Sequence, residues 1–138
     1  MKYGGSDENR ARFLIEIIKK IREAIGDEMI ISAKIDSVDE EMGFTESGFL
    51  TAGKYLEEAG VDLIEVTGAN PLKKGDMYFY NDTKKLAETV NVPVTCIGGI
   101  KTYEHADYII KNSKIEYIGM FRTLLKESDL VKKWHNNK

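Results

Sequence analysis

The chain has 138 residues, 42% hydrophobic and 31% charged, with a formal net charge of −3. That length supports one domain with a useful core but falls well short of the roughly 250 residues of a complete eight-fold βα barrel. With 20 basic against 23 acidic residues, one cysteine (Cys96), no bilayer-length apolar run and no signal-peptide core, the expectation is a cytoplasmic protein with no nucleic-acid or membrane partner and no disulfide or metal framework.

Ser6 precedes Phe13, Leu14, Ile17, Ile18, Ile21 and Ile25 at helical spacing, and Gly26 closes the pattern. Ser6 with Asn9 forms an imperfect capping box, and Asp7 and Glu8 suit the positive end of the helix dipole. Met29 to Ile35 then reads as a strand. Thr45 caps a second helix through Phe49, Leu50, Ala52, Tyr55, Leu56 and Ala59, which Gly60 stops, and the next strand spans Val61 to Thr67. A long loop is expected over Gly68 to Asp82, followed by a helix to about Val90. Strands at Pro93 and Ile115 flank a helix from Thr102 to about Lys111, and a last helix runs from about Ser128 through Trp134. Strands alternating with helices indicate a parallel sheet with right-handed crossovers.

Alternation along a strand sorts its residues onto two faces. Ile31, Ala33 and Ile35 fall on an apolar face, with Ser32, Lys34 and Asp36 opposite. In the next strand Leu63, Glu65 and Thr67 share a face, opposite Asp62, Ile64 and Val66. If the two strands are neighbours, Lys34 and Glu65 can pair across them, since a lone buried charge is costly. A polar inner face suits a barrel lumen and equally an exposed sheet face.

The chemistry concentrates in Pro93-Val94-Thr95-Cys96-Ile97-Gly98-Gly99-Ile100 and in Ile115-Glu116-Tyr117-Ile118-Gly119-Met120, which leads to Arg122. A strand ending in two glycines and opening onto a helix lets backbone N–H groups approach an anion. Two such units in succession, the second with an arginine, match the way barrel enzymes hold a phosphate after their last two strands. Alone, Gly98-Gly99 is a weak signal, because a strand-to-helix turn can call for glycine's positive φ with no ligand involved.

Tyr3-Gly4-Gly5-Ser6-Asp7-Glu8-Asn9-Arg10-Ala11-Arg12-Phe13 closely resembles a motif of the Old Yellow Enzyme group, the NADH:flavin oxidoreductases. The resemblance continues through Ile35, Glu58 to Val66, Val92 to Ile100, and Arg122 to Trp134. It implies the C-terminal half of a (β/α)8 TIM barrel: four parallel strands with about five helices, residues 1–138 forming a single half-barrel domain. It also implies FMN at the strand C-termini, NAD(P)H as reductant, and hydride transfer through the flavin to an acceptor such as an activated alkene.

By position, the resemblance matches Lys34 to the basic residue facing the flavin pyrimidine edge. Gly98 and Gly99 match the backbone donors after the seventh strand, and Arg122 the phosphate-binding arginine after the eighth. Met77 to Tyr80 corresponds to a loop near flavin and substrate. Two positions depart from the pattern: Phe121 stands where a small residue is usual, and Thr123 where proline is usual. Phe121 keeps its backbone donor, but its ring can crowd the phosphate. The family's first half, which supplies most flavin-ring contacts and the substrate-binding pair, has no counterpart in these residues. No iron–sulfur cluster is expected.

Bland readings stand beside these. Lys34 can serve only as the partner of Glu65, and Arg122 can cap carbonyls or pair with a carboxylate. Asp36, Asp39, Glu40 and Glu41 read as a solvated loop, His105 and His135 as surface residues, and Cys96 as a small buried hydrophobe. Tyr78, Phe79 and Tyr80 fit either a lid or loop packing. An open four-stranded sheet exposes edges that invite pairing, so a homo-oligomer or a complementary N-terminal half-barrel chain is expected. Three functions remain at this point: an FMN-binding half of an NAD(P)H-dependent oxidoreductase with little activity alone, a non-catalytic phosphate- or FMN-binding remnant or assembly module, and an aldolase-type enzyme with Lys34 as the amine nucleophile.

Overall fold

A computed structural model describes residues 2–68 and 75–136. Helix α1 (Asp7–Ile25) starts where the sequence places it: the Ser6 side chain accepts from the Asn9 N–H at 3.3 Å, and Gly26 ends the helix at φ 68°. Only the Ser6 half of the capping box forms, because the Asn9 amide oxygen accepts instead from Arg12. Strand β1 (Ser32–Asp36) begins later than the apolar run suggests, leaving Met29 and Ile30 exposed. A 3-10 turn, Glu40–Met42, follows, closed by the Asp39 side chain on the Met42 N–H. Glu40 and Glu41 on it are exposed, as a solvated acidic loop should be.

Helix α2 (Glu46–Ala59) is capped by Thr45 and stopped at Gly60, and β2 (Leu63–Thr67) follows. Of the expected loop from Gly68 to Asp82, 69–74 lie outside the described residues. Helix α3 (Tyr80–Ala87) starts earlier and ends earlier than its pattern suggests. It has no side-chain cap, and Thr83 returns its hydroxyl to the Phe79 carbonyl at 2.6 Å. Strand β3 (Val94–Cys96) leads to α4 (Tyr103–Lys111), capped by Thr102, and β4 (Tyr117–Ile118) leads to α5 (Arg122–Lys126) and α6 (Leu130–Asn136). The sequence expectation of about five helices lacks α5, whose five residues are too few to show a period.

The strands lie side by side in chain order, β1-β2-β3-β4, all parallel. This is the consecutive βα arrangement of one half of a barrel. One sheet face packs under the helices, where Ala33, Ile64, Val66, Val94 and Cys96 join Leu56, Leu86 and Ile109 in the core. Cys96 is fully buried there, and burial pushes its thiol up to about 11, so it acts as a small hydrophobe. Arg22 ties the base of this core together. Its guanidinium donates to the carbonyls of Gly26, Met29 and Gly60 and to Asp62, whose carboxylate also accepts from the Ile31 N–H at 2.7 Å.

Candidate functional site

The other sheet face carries a polar row. Register places Lys34 opposite Glu65, Glu65 opposite Thr95, and Thr95 opposite Tyr117, so one side chain from each strand crosses the sheet. The Lys34 ammonium pairs with the Glu65 carboxylate at 2.7 Å, as strand alternation anticipates. Thr95 is buried between them and Tyr117.

At the C-terminal ends of the strands this row opens into a cleft of about 1100 Å³. That is slightly above the roughly 300–1,000 Å³ of small-molecule sites, as suits a groove open on one side. Lys34, Gly98, Gly99, Phe121 and Arg122 all line it. They come from three separate βα units, and parallel packing alone brings them to one end of the sheet.

Gly98 and Gly99 both have positive φ, 90° and 72°, a conformation that L side chains rarely adopt. They face a second constraint that the sequence does not reveal. A Cβ on Gly98 would lie 2.5 Å from the Tyr78 ring and 2.6 Å from Phe79. On Gly99 it would lie 2.6 Å from the Gly75 carbonyl oxygen and 2.9 Å from Tyr78. The segment before α3 therefore rests directly on the glycine turn, pinned by the Met77 N–H on the Gly99 carbonyl at 3.2 Å.

The three aromatics of this segment part company. Phe79 is buried against Gly68 and Gly98, and Tyr80 opens α3 with its ring edge-on to Tyr108. Tyr78 faces the cleft, where its hydroxyl accepts from Arg122 Nη2 at 2.9 Å. Among the described residues, Arg122 thus meets neither a carbonyl nor a carboxylate but the Tyr78 phenol. Phe121 stands 75% exposed on the rim, with Leu125 one turn further on. Thr123 donates its hydroxyl to the Ile100 carbonyl at 3.0 Å and fastens the start of α5 to the turn after β3.

The charge lining the cleft is positive in a chain that is negative overall. Lys34, Lys101, Arg122 and Lys126 line it against Glu65 and Glu127. Lys34 is matched by Glu65 and Lys101 by Asp76 at 2.6 Å, while Glu127 is matched by Lys133. Among the described residues, Arg122 and Lys126 form no ion pair. Sequence reasoning missed Lys101 and Lys126; only their place on the sheet's C-terminal end brings them to the site. His105 accepts from the Lys101 N–H, and His135 lies on α6 away from the cleft lining.

The sequence model of the NADH:flavin oxidoreductase / NADH oxidase family matches residues 2–138. The chain belongs to this family. It is 35% identical to the bilirubin reductase of Mediterraneibacter gnavus (strain CC55_001C) over 95% of this chain and 23% of that protein. It is 34% identical to the NADH oxidase of Thermoanaerobacter brockii over 96% of this chain and 22% of that protein. The chain therefore spans less than a quarter of the length of these relatives. In three dimensions it resembles a 2-naphthoyl-CoA reductase solved with 2-naphthoyl-CoA, with a TM-score of 0.80 at 24% identity, over the whole of this chain and 23% of that one. That likeness supports the half-barrel fold. No helix among the described residues is long and apolar enough to cross a membrane.

Proposed function

We infer that this family member is the FMN-binding later half of an NAD(P)H-dependent flavin oxidoreductase barrel, with little or no turnover by itself. The observation that carries the reading is the cleft: Lys34, Gly98, Gly99, Phe121 and Arg122 converge there with surplus positive charge. The donor set suits a phosphate-bearing flavin. A guanidinium without an ion pair and a turn made of two glycines are the groups a phosphate needs, since charge-assisted hydrogen bonds are the strong ones.

In this reading Arg122 and the Gly98-Gly99 turn hold the FMN phosphate. Lys34, buttressed by Glu65, presents its ammonium to the flavin ring. The exposed Phe121 ring closes the rim on the phosphate side. Bound FMN would supply two-electron hydride acceptance from a nicotinamide and donation to an acceptor. Catalysis needs groups held in place from both sides of the barrel, so the half alone binds but turns over little.

The partner follows from the same geometry. On α1, Phe13, Ile17 and Ile21 lie at successive turns and are exposed, and so are Met29 and Ile30 ahead of edge strand β1. At the other end of the sheet, Tyr117 on edge strand β4 and Val131 on α6 are exposed. Apolar surface beside open strand edges is a pairing surface. We place there a complementary N-terminal half-barrel or a second copy of the chain. Light scattering at tens of micromolar should show an assembly larger than one chain, and a stable monomer would remove this part of the reading.

The test of function is spectroscopic. The purified chain, incubated with FMN and desalted, should retain a yellow chromophore substoichiometrically, with NAD(P)H oxidation near background. Retained FMN without any NAD(P)H oxidation, even with a complementary half, would indicate the non-catalytic binding module instead. Trapping of a carbonyl substrate on Lys34 by borohydride would indicate the aldolase-type reading.

A further inference from the structure

We propose that Tyr78 is a phosphate ligand of this cleft, one that also sets the position of Arg122. The inference rests on the phosphate reading of the cleft given above and gives a role to one residue of the Met77 to Tyr80 loop, which the family resemblance places only near flavin and substrate.

The phenol is placed as a bridge. Its ring lies on both glycines of the Gly98-Gly99 turn, and its hydroxyl reaches Arg122, which is 44 positions away in sequence. It therefore spans the two elements between which a phosphate would be held. Its hydrogen bonding is half used. The oxygen accepts from Arg122 Nη2 at 2.9 Å, and among the described residues its own proton has no acceptor. A hydroxyl that accepts from a guanidinium is left with its proton free to donate, and it lines an electropositive cleft. A phosphate oxygen can accept from the phenol proton and from the guanidinium together.

The ring is also built in rather than loosely parked. It meets Phe79 edge-to-face, with centroids 4.6 Å apart. Met77, just before it, is the one non-glycine residue with positive φ (46°) among the described residues, and its N–H and carbonyl are both engaged, on the Gly99 carbonyl and the Tyr80 N–H. Such a backbone persists only where its surroundings over-determine it. A side chain held this firmly works as a fixed ligand, whereas a plug that must leave before the anion enters would need freedom to swing. The ligand class is a phosphomonoester, whose several oxygens accept from guanidinium and phenol together. A carboxylate offers fewer oxygens for the same span.

The experiment is a fluorescence titration of the full chain with FMN and with riboflavin, which lacks the phosphate, for wild type, Tyr78→Phe and Arg122→Ala. Loss of a hydrogen bond to a charged group predicts FMN affinity weakened about tenfold in Tyr78→Phe, with riboflavin affinity unchanged. Arg122→Ala should lose at least as much for FMN. If wild type prefers FMN over riboflavin and Tyr78→Phe binds FMN as well as or better than wild type, the Tyr78 inference is overturned while the phosphate reading stands. If wild type binds FMN no better than riboflavin, or binds neither, the phosphate reading falls and the inference falls with it.

Discussion

Around β1 and β2, each five residues long, lie the two longest helices, α1 and α2, both closed by side-chain caps at one end and glycine at the other. Around β3 and β4, three and two residues long, the helices are shorter, and α5 and α6 bury no residue at all. The first region holds the longer frame elements, with Leu56 fully buried and Arg22 tying the α1–β1 connection to the α2–β2 connection by hydrogen bonds. The second holds most of the cleft: the glycine turn, Phe121 and Arg122. Core packing runs through both regions, since Val94, Cys96 and Ile109 join Leu56 in it, whereas the binding groups gather mostly in the second. Binding groups at element ends cost little packing to present, and loops carried on a rigid scaffold are where such groups collect.

The contrast can be broken from either side. Leu56→Ala removes a side chain with no exposed surface and should destabilise the chain by about 2–5 kcal/mol in denaturant unfolding. Arg22→Ala comes next, at about 1–3 kcal/mol, because it strips donors from the carbonyls of Gly26, Met29 and Gly60 at once. Both should lower the unfolding midpoint, and any loss of flavin binding in them should vanish wherever the chain is still folded.

Arg122→Ala should show the reverse pattern. FMN affinity falls about tenfold or more, while unfolding stays within about 0.5 kcal/mol of wild type, the range for surface positions. An Arg122→Ala chain that unfolds much more easily would make Arg122 part of the frame and erase the division. Asp62→Asn gives the smallest effect and a pH signature. The Ile31 N–H and the Arg22 guanidinium hold the Asp62 carboxyl below its ordinary value of 3.8. A lowered pKa means stability present above that ordinary value and lost as pH falls through the folded one. The wild-type advantage over Asp62→Asn should therefore be under about 1 kcal/mol at pH 7, given solvent screening of a half-exposed carboxylate. It should shrink in thermal melts taken below about pH 4.

Much of the frame is legible in the chain. Ser6, Thr45 and Thr102 announce three helix starts, and each side chain accepts from the backbone N–H three residues on. Gly26 and Gly60 end two helices as their positive φ allows. Strand alternation also brings Lys34 and Glu65 together, because neighbouring parallel strands in register put like positions side by side. Less is legible where elements are short. Helix α5 hides in five residues, and β1 begins at Ser32, not Met29, because an apolar run fixes a strand's existence better than its ends. At the site, the family resemblance pointed to Lys34, Gly98, Gly99, Phe121 and Arg122, and all five line one cleft. Lys101, Lys126 and the Tyr78 contact had no local signal.

Sequence by itself determined the order of helices and strands, their caps, and which strand residues turn toward the helices, since each of these depends on neighbours within about one or two turns of chain. Only the tertiary structure decided that Tyr78 sits on the Gly98-Gly99 turn and meets Arg122. That contact joins loops from different βα units, and the strand register and the strained backbone at Met77, rather than any sequence period, set the distance between them.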